Sequence, residues 1–511
     1  MKLIDRVLRK FGYQKSKPLT RRTFEAAAVN RLTMDWGTTP FSADWDIRYT
    51  LRQLRARSRD LSNNNEYARK FIKMCVSNVV GPDGIMFRST MKDKNGRPDK
   101  GNNQAVMDAW AEWGKRENCT VTGLLSWPAL QRQVIETVAR DGEIFLRIVR
   151  NFPNDFGFAL QALEAEYMDV NLNRPGENIR MAIEYDDWRR PIAYWVMASN
   201  IYDYQPPMHA LKYIRYPASD IIHIYWQERP EQGRGIPWMS SAMMNMQMLR
   251  GYKESELVSA RVSAAKMGFL EPGDKGAEDA YTGDDQDSQG NTITEVEPGM
   301  IEQLPRGYKF STFDPQHPTT QFDSFVKSCL RGISSGFLVS YNSLANDLEH
   351  VNYSSIRQGV IDERDMWRIL QALLIESLCQ PVFKAWLPIA MAKGKIRIPM
   401  TKLDDSQVKW RPRGWDWVDP LKDQQAMVMA INTGLQSRKD TLAEQGEDFY
   451  ELIDEIADEH AYIKQKGLDF NVTPTGVPSK FGASPQPQAP VQEGQQTVSP
   501  SARRAAKEAE A

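Results

Sequence analysis

Residues 237–267, PWMSSAMMNMQMLRGYKESELVSARVSAAKM, contain no internal proline and only one early breaker, Gly251. The stretch predicts a single helix of roughly 45 Å at 1.5 Å per residue, long for one element of a compact domain. It is rich in methionine (Met239, Met243, Met244, Met246, Met248 and Met267), which reads as adaptable core filler rather than as a cofactor box. Beyond it, residues 271–300 carry nine acids against the single Lys275. Short β-like pieces follow near 300–304 and 308–313. A second helix is predicted over 319–336, with Phe322, Val326, Cys329, Ile333 and Phe337 on one face. Two helices therefore bracket a small acidic insertion.

Working outward, residues 337–353 lack apolar periodicity and are rich in Ser, Asn and Asp, which predicts a polar loop. A third long helix starts near Ser354 with Ile361, Trp367, Leu370, Leu374, Leu378 and Val382, and Pro381 bends or ends it. Residues 419–466 form a further helical unit, acidic in its second half, and the Pro, Gln, Ala and Ser content of 472–511 predicts disorder. Upstream, short alternating or apolar runs at 144–149, 158–163, 181–185, 192–197 and 221–226 predict a mostly antiparallel sheet, with a hairpin connection at 186–191. Asn63-Asn64-Asn65 is a capping stretch for a helix carrying Tyr67, Phe71, Ile72, Cys75, Val76 and Val79 that stops at Gly81-Pro82. Residues 1–70 form a basic head, 16 Lys or Arg against 7 Asp or Glu, with the run Arg48, Arg52, Arg55, Arg57 and Arg59.

The whole chain, 511 residues with formal charge -1, is long enough for two or three units, and its overall charge selects no nucleic acid, membrane or acidic substrate. Any electrostatic function is local. Cys75, Cys119, Cys329 and Cys379 form no CxxC, so they read as buried thiols rather than as a zinc site or disulfide frame. No secretory signal or membrane-length apolar run is present, which predicts a soluble, intracellularly made protein. Gly114-Lys115 is followed by Arg116 and Gly394-Lys395 by Ile396, so neither completes a phosphate-cradling P-loop. The five histidines show no HExxH spacing, and no GxSxG elbow occurs. The best enzymatic candidate is the carboxylate group Glu164, Glu166 and Asp169, near Asp141 and Glu143: on a strand, Glu164 and Glu166 would face one side, as a two-metal nuclease requires. A solvent-facing strand shows the same spacing, and is the plainer reading.

Three long, ordered stretches resemble the lambda-like family of bacteriophage portal proteins. The first is Glu228-Arg229-Pro230 with Gly233-Arg234-Gly235-Ile236-Pro237-Trp238, leading to Tyr252, Glu256-Leu257, Ala260 and Gly268-Phe269. The second begins Pro315-Gln316-His317-Pro318-Thr319 and continues through Cys329-Leu330-Arg331, Val339-Ser340-Tyr341 and Val351-Asn352-Tyr353-Ser354-Ser355. The third is Arg413-Gly414-Trp415 with Trp417-Val418-Asp419-Pro420-Leu421-Lys422-Asp423. With weaker agreement from Arg55, the resemblance spans about residues 50–435.

The resemblance implies an α+β portal-type fold. Its parts would be a basic N-terminal arm (1–60), a β-rich wing (61–236), stem helix 1 (237–269), a small α/β clip (270–318), stem helix 2 (319–336), a tunnel loop (337–353), a wing return (354–418), a helical crown (419–470) and a disordered tail (471–511). It implies a ring, usually of twelve subunits, at the unique capsid vertex: a conduit for DNA packaging and ejection and a nucleator of procapsid assembly, not an enzyme. No cofactor or metal is implied. The implied partners are sequence-independent double-stranded DNA, the terminase large subunit, major capsid and scaffold proteins, and head-tail connectors, with no membrane. The implied location is the virion, after assembly in the host cytoplasm. Tyr341, Asn342, Ser343, Asn346, Asp347 and Asn352 would contact or gate DNA, and Asp284, Asp285 and Asp287 would face the terminase. The alternatives are a metal-dependent nucleic-acid hydrolase using Glu164, Glu166 and Asp169, and a monomeric adaptor.

Overall fold

Ser42 and Asn65 set the first two helices. The Ser42 hydroxyl accepts from the Trp45 amide at 3.3 Å and opens α1 (Ala43–Asn64), whose first turn carries Asp44 and Asp46 where the helix dipole favours acids. Asn65 is extended; it closes α1 and, through Oδ1, accepts from the amides of Tyr67 and Ala68 to open α2 (Glu66–Cys75). The computed structural model describes residues 31, 34, 37–92, 99–200, 212–264, 268–272, 285–286, 292–293, 308–312, 322–349, 353–398, 408–415, 420–444 and 449–467. It divides into two units, 1–426 and 427–511.

α1 runs across residue 60, where the arm was expected to end, and buries Ile47, Leu51 and Leu61 as well as Arg55. α2 runs into a π-helical turn, Val76–Val80, and stops as expected at Gly81, where φ is 73°. Next come β1 (Met86–Ser89), α3 (Lys100–Trp113), α4 (Arg116–Cys119) and α5 (Trp127–Asp141). α5 ends at Gly142, in the left-handed region at φ 91°, which turns the chain into β2.

The expected antiparallel block is two sheets rather than one. β2 (Glu143–Arg150) is the centre strand between β3 (Phe158–Leu163) and β8 (Ile221–Tyr225); β4 (Ile179–Arg180), β5 (Ile183–Tyr185), β6 (Pro191–Met197) and β7 (Tyr213–Pro217) pair in chain order, and every pairing is antiparallel. The hairpin connection expected at 186–191 joins β5 to β6. β4 and β5 turn through Met181 and Ala182, both at positive φ (47° and 68°) and both buried.

The first long helix is shorter than expected. α6 is Met243–Ala264, 22 residues, about 33 Å. Residues 237–242 form turns instead, because Trp238 donates its amide to the Ala139 carbonyl of α5 at 3.1 Å and Met239 is fully buried, anchoring the chain before the helix starts. Beyond α6, β9 (Gly268–Pro272) precedes β10 (Asp285–Gln286), β11 (Thr292–Ile293) and β12 (Tyr308–Thr312); β9 pairs with β12 and β10 with β11, both antiparallel. In 270–318, where a small α/β clip was expected, the described residues are these strands, and the rest of the range lies outside the described residues.

α7 (Phe322–Phe337) returns antiparallel to α6: the Tyr252 ring meets Phe322 at 5.6 Å and Phe325 at 5.1 Å, and near the opposite end the Ser241 hydroxyl donates to the Gly336 carbonyl at 3.1 Å. Within the expected loop sits a short helix, α8 (Tyr341–Ala345), capped by Ser340. The third long helix is α9 (Tyr353–Leu374), a π-helical turn (Ile375–Cys379) and α10 (Gln380–Ala392). Pro381 lies in the first turn of α10; the irregularity precedes it, as the Gln380 amide bonds the Ile375 carbonyl, and the following proline needs no donor. β13 (Val408–Arg411) then pairs antiparallel with β1, bringing two segments far apart in sequence together.

The main core is aromatic. Trp110 meets Trp386 edge-on at 5.0 Å, Trp113 packs on Trp127 at 5.6 Å, and the Trp113 indole donates to the Phe158 carbonyl at 3.1 Å. A second core, with Phe145, Ile183, Tyr194 and Val196, lies between the two sheets. Of the second unit the described parts are helical, as expected for 419–466: α11 (Pro420–Asn432, which begins before the boundary), α12 (Arg438–Glu444) and α13 (Phe449–Gln465). The expected tail, 471–511, lies outside the described residues. No described helix is long and apolar enough to cross a membrane.

Candidate functional site

The basic run of α1 does not form a uniform outer face. Arg55 and Arg59, four apart, turn inward onto the carboxylates that the sequence offered as a catalytic cluster. Arg55 donates through Nε to the Asp141 carbonyl at 3.0 Å and pairs through Nη2 with Glu143. Arg59 grips Asp141 in a two-pronged contact at 2.8 and 2.9 Å and reaches Glu166 at 2.8 Å.

Glu143, at the start of β2, is the hub. Fully buried, it also receives Arg234 Nε at 2.8 Å, the Gly235 amide at 2.9 Å and His223 Nε2 at 2.9 Å. Burial alone would raise its pKa, but Arg234, Arg55 and the His223 hydrogen bond hold it well below the usual carboxylate range. Burial lowers the His223 pKa, so the ring is neutral at pH 7 and donates from Nε2; it stacks between Phe145 and Tyr225 at 4.2 and 4.3 Å. The remaining Arg234 donors meet backbone carbonyls of Met181 (2.8 Å), Met168 (3.2 Å) and Ala165 (3.3 Å). Gly235 packs so closely on Gly142 that a Cβ at either position would overlap backbone. The Gly233-Arg234-Gly235 motif is thus a staple joining α1, both sheets and the entry to α6.

The strand premise of the hydrolase alternative fails. β3 ends at Leu163, and Glu164 precedes a 3-10 turn, Ala165–Tyr167, so Glu164 and Glu166 do not alternate on a strand. Glu166 is paired with Arg59, and Asp169 accepts from the Tyr213 hydroxyl at 2.8 Å. Among the described residues no group of three or more His, Cys, Asp or Glu converges as metal ligands.

The loop after α7 is the second arrangement of interest, and it is more ordered than its composition predicts. Val339 and Leu344 are buried, Ser340 accepts from the Ser343 amide at 3.2 Å, and Asn346 takes a left-handed conformation at φ 56°. The Tyr341 hydroxyl donates to Asp347 at 2.7 Å; burial and that bond push its pKa up to about 12. Two lysines hold the segment from outside: Lys70 of α2 bonds Asn346, and Lys327 of α7 lies 2.9 Å from Asp323, 3.3 Å from Glu349 and 3.7 Å from Asp347. Ser340, Asn342, Ser343 and Asn346 line a cavity of about 260 Å³ with Leu348 and Ile356. Five of the six expected loop residues are thereby gathered in one segment; Asn352 lies outside the described residues. Of the expected docking acids, Asp285 is in β10, and Asp284 and Asp287 lie outside. The Glu143 hub was missed, although the paired glycines around Arg234 were its visible signal.

Residues 29–371 match the family described as phage portal protein, lambda family. The probable portal protein of Halomonas phage phiHAP-1 is 36% identical over 468 residues, 89% of each chain. Portal protein B of Escherichia phage lambda is 22% identical over 473 residues, 85% of this chain and 88% of that one. Among solved structures, the neck of an empty gene transfer agent particle aligns with 82% of this chain and 98% of its own at 13% identity and TM-score 0.44. The virion of a native gene transfer agent aligns with 81% and 98% at 12% identity and TM-score 0.42. A family match over two thirds of the sequence, together with a relative more than one-third identical along nearly its whole length, makes this chain a member of the lambda family of phage portal proteins.

Proposed function

We propose that the chain forms a closed ring, of twelve copies, at the capsid vertex and conducts double-stranded DNA during packaging and ejection. Family membership carries this reading, and the antiparallel pair α6 and α7, leading into the β9–β12 ribbon, supports it as a stem and clip. A ring needs two different faces per subunit, each meeting the other on the next copy. The acids of 271–300 suit a passage in which phosphates slide, because lysines or arginines there would create salt-dependent sticking. The role is structural: the packaging ATPase is a separate terminase large subunit that docks on the clip through Asp284, Asp285 and Asp287, and head-tail connectors later take that position. Capsid and scaffold proteins contact the ring during assembly in the host cytoplasm.

Tyr341, Asn342, Ser343, Asn346, Asp347 and Asn352 form the rim that meets DNA. Deleting 341–350 is expected to impair DNA retention; unchanged packaging and retention would remove the loop from the conduit. Native mass with negative-stain imaging tests the ring itself: twelve 58.5-kDa chains give about 700 kDa and end-on views with a central hole. A 58.5-kDa species that persists when capsid and scaffold proteins are co-expressed would overturn the ring.

A further inference from the structure

Trp188 is the most exposed large apolar side chain among the described residues, at 90%, yet the backbone that presents it is firmly tied. In the β5–β6 hairpin the Asp186 carboxylate accepts from the amides of Trp188 at 2.9 Å and Arg190 at 2.7 Å, and the Asp186 amide donates to the Arg190 carbonyl at 2.9 Å. Arg189 closes the turn at φ 63°, where glycine is usual, and pairs with Glu231 at 3.1 Å. A non-glycine residue in that conformation and an indole exposed to water are both unfavourable for an isolated subunit. On α6, against α2, lies an open groove of about 510 Å³, with Tyr67, Met246, Leu249, Leu257 and Val258 along its lining and the Lys253–Glu66 ion pair on its α2 side, Lys253 lying over the Tyr67 ring. Leu257 and Val258 are more than half exposed there. An indole buries up to roughly 250 Å² and is smaller than the ligands that cavities of about 300–1,000 Å³ accept.

The charges around the two features match. Asp187 and Arg190 flank the indole, Arg261 and Glu254 rim the groove, and none of the four has a side-chain partner among the described residues. We propose that Trp188 of one subunit inserts into the α6–α2 groove of the next copy of this chain, with Asp187 against Arg261 and Arg190 against Glu254. The knob belongs to the four-stranded sheet and the hole to the helical face, so the contact is between unlike surfaces, the kind that closes a ring. This rests on the ring reading and names the surfaces that would make it.

The test uses the full chain. Trp188→Ala is expected to weaken association by about 30-fold or more per interface, as loss of a tryptophan anchor does, moving rings to monomers on dilution in native mass measurements. Asp187→Arg is expected to act likewise and Asp187→Arg with Arg261→Asp to restore rings, since every interface then carries the swapped pair. Trp188→Cys with Leu257→Cys is expected to give intersubunit disulfide ladders on oxidation that neither single variant gives. Wild-type rings with Trp188→Ala rings of equal mass and dilution profile, or no ladder from the double cysteine variant, would overturn this interface and leave the ring standing. A wild-type chain that never forms rings, even with capsid proteins, would overturn both.

Discussion

Around Glu143 the molecule places ion pairs in a dry interior; around Lys327 it places the same chemistry in water. At the first site Arg55, Arg234 and His223 converge on one buried carboxylate. At the second, Lys327 is offered three carboxylates at 2.9, 3.3 and 3.7 Å, and exchanging one for another leaves it solvated. Losing a partner leaves an uncompensated charge in the first case and a hydrated one in the second. The hub fixes α1, both sheets and the entry to α6 as one body, whereas the loop is held by contacts for which water and dissolved ions compete.

The largest expected effect follows from that difference. Glu143→Ala strands Arg55 and Arg234, and is expected to destabilise the chain by about 3–5 kcal/mol, the cost of breaking a buried pair from one side. Chemical denaturation of the purified variant measures it; a loss under 1 kcal/mol would erase the contrast with the loop. Glu143→Gln keeps the shape and a neutral acceptor and is expected to fall between the two.

Acid sharpens the comparison next. The folded pKa of His223 lies below its unfolded value of about 6.5, so the neutral ring's contribution is complete above that pH and declines as pH falls below it. Glu143, also depressed, loses its contribution only in more acidic solution, below the ordinary glutamate value of about 4.3. Stability is therefore expected to slope downward between pH 6.5 and 5 by at most about 1.4 kcal/mol per pH unit, the one-proton limit. His223→Gln is expected to flatten that segment, and an unchanged slope would assign it elsewhere.

Much of the helix and sheet region before α6 was legible because its signals are local. Asn65 as a helix cap, Gly81 as a stop and the hairpin at 186–191 all follow from residues within a few positions of one another. The hub was not, because its members lie 88 and 91 positions apart along the chain and meet only once two sheets and a helix have assembled. The same distance blindness gave α6 six residues too many: nothing between 237 and 242 forbids a helix, and the competing bond comes from Ala139. Of the proposed conduit residues, those in the loop were readable as a polar segment, while the lysines that hold it, Lys70 and Lys327, belong to other helices.

Backbone strain is unequally placed too, which yields a smaller effect. Met181 and Ala182 occupy left-handed conformations that neither residue favours, and Arg234 clasps the Met181 carbonyl at 2.8 Å; Asn346 in the loop holds a similar φ with a residue type that tolerates it. Ala182→Gly is expected to raise stability by roughly 1 kcal/mol and Asn346→Gly to change it by a few tenths at most. Equal responses in denaturation would mean that the hub does not hold the β4–β5 turn against its preference.

The smallest expected effect is at Lys327 itself. Lys327→Ala removes one cation facing Asp323, Asp347 and Glu349, whose side chains are 74%, 18% and 66% exposed. Water re-solvates the exposed two at once, and Asp347 keeps its bond from the Tyr341 hydroxyl at 2.7 Å, so the loss is expected to be the smallest of the series. Salt separates this from a packing effect: the wild-type advantage over the variant is expected to shrink between 0.05 and roughly 1 M salt as the screening length drops to about 3 Å. Denaturation curves for both proteins at the two salt concentrations measure it. A loss as large as that of Glu143→Ala, and one that salt does not reduce, would mean that the loop is anchored as firmly as the hub, and the two regions would then share one kind of stability instead of two.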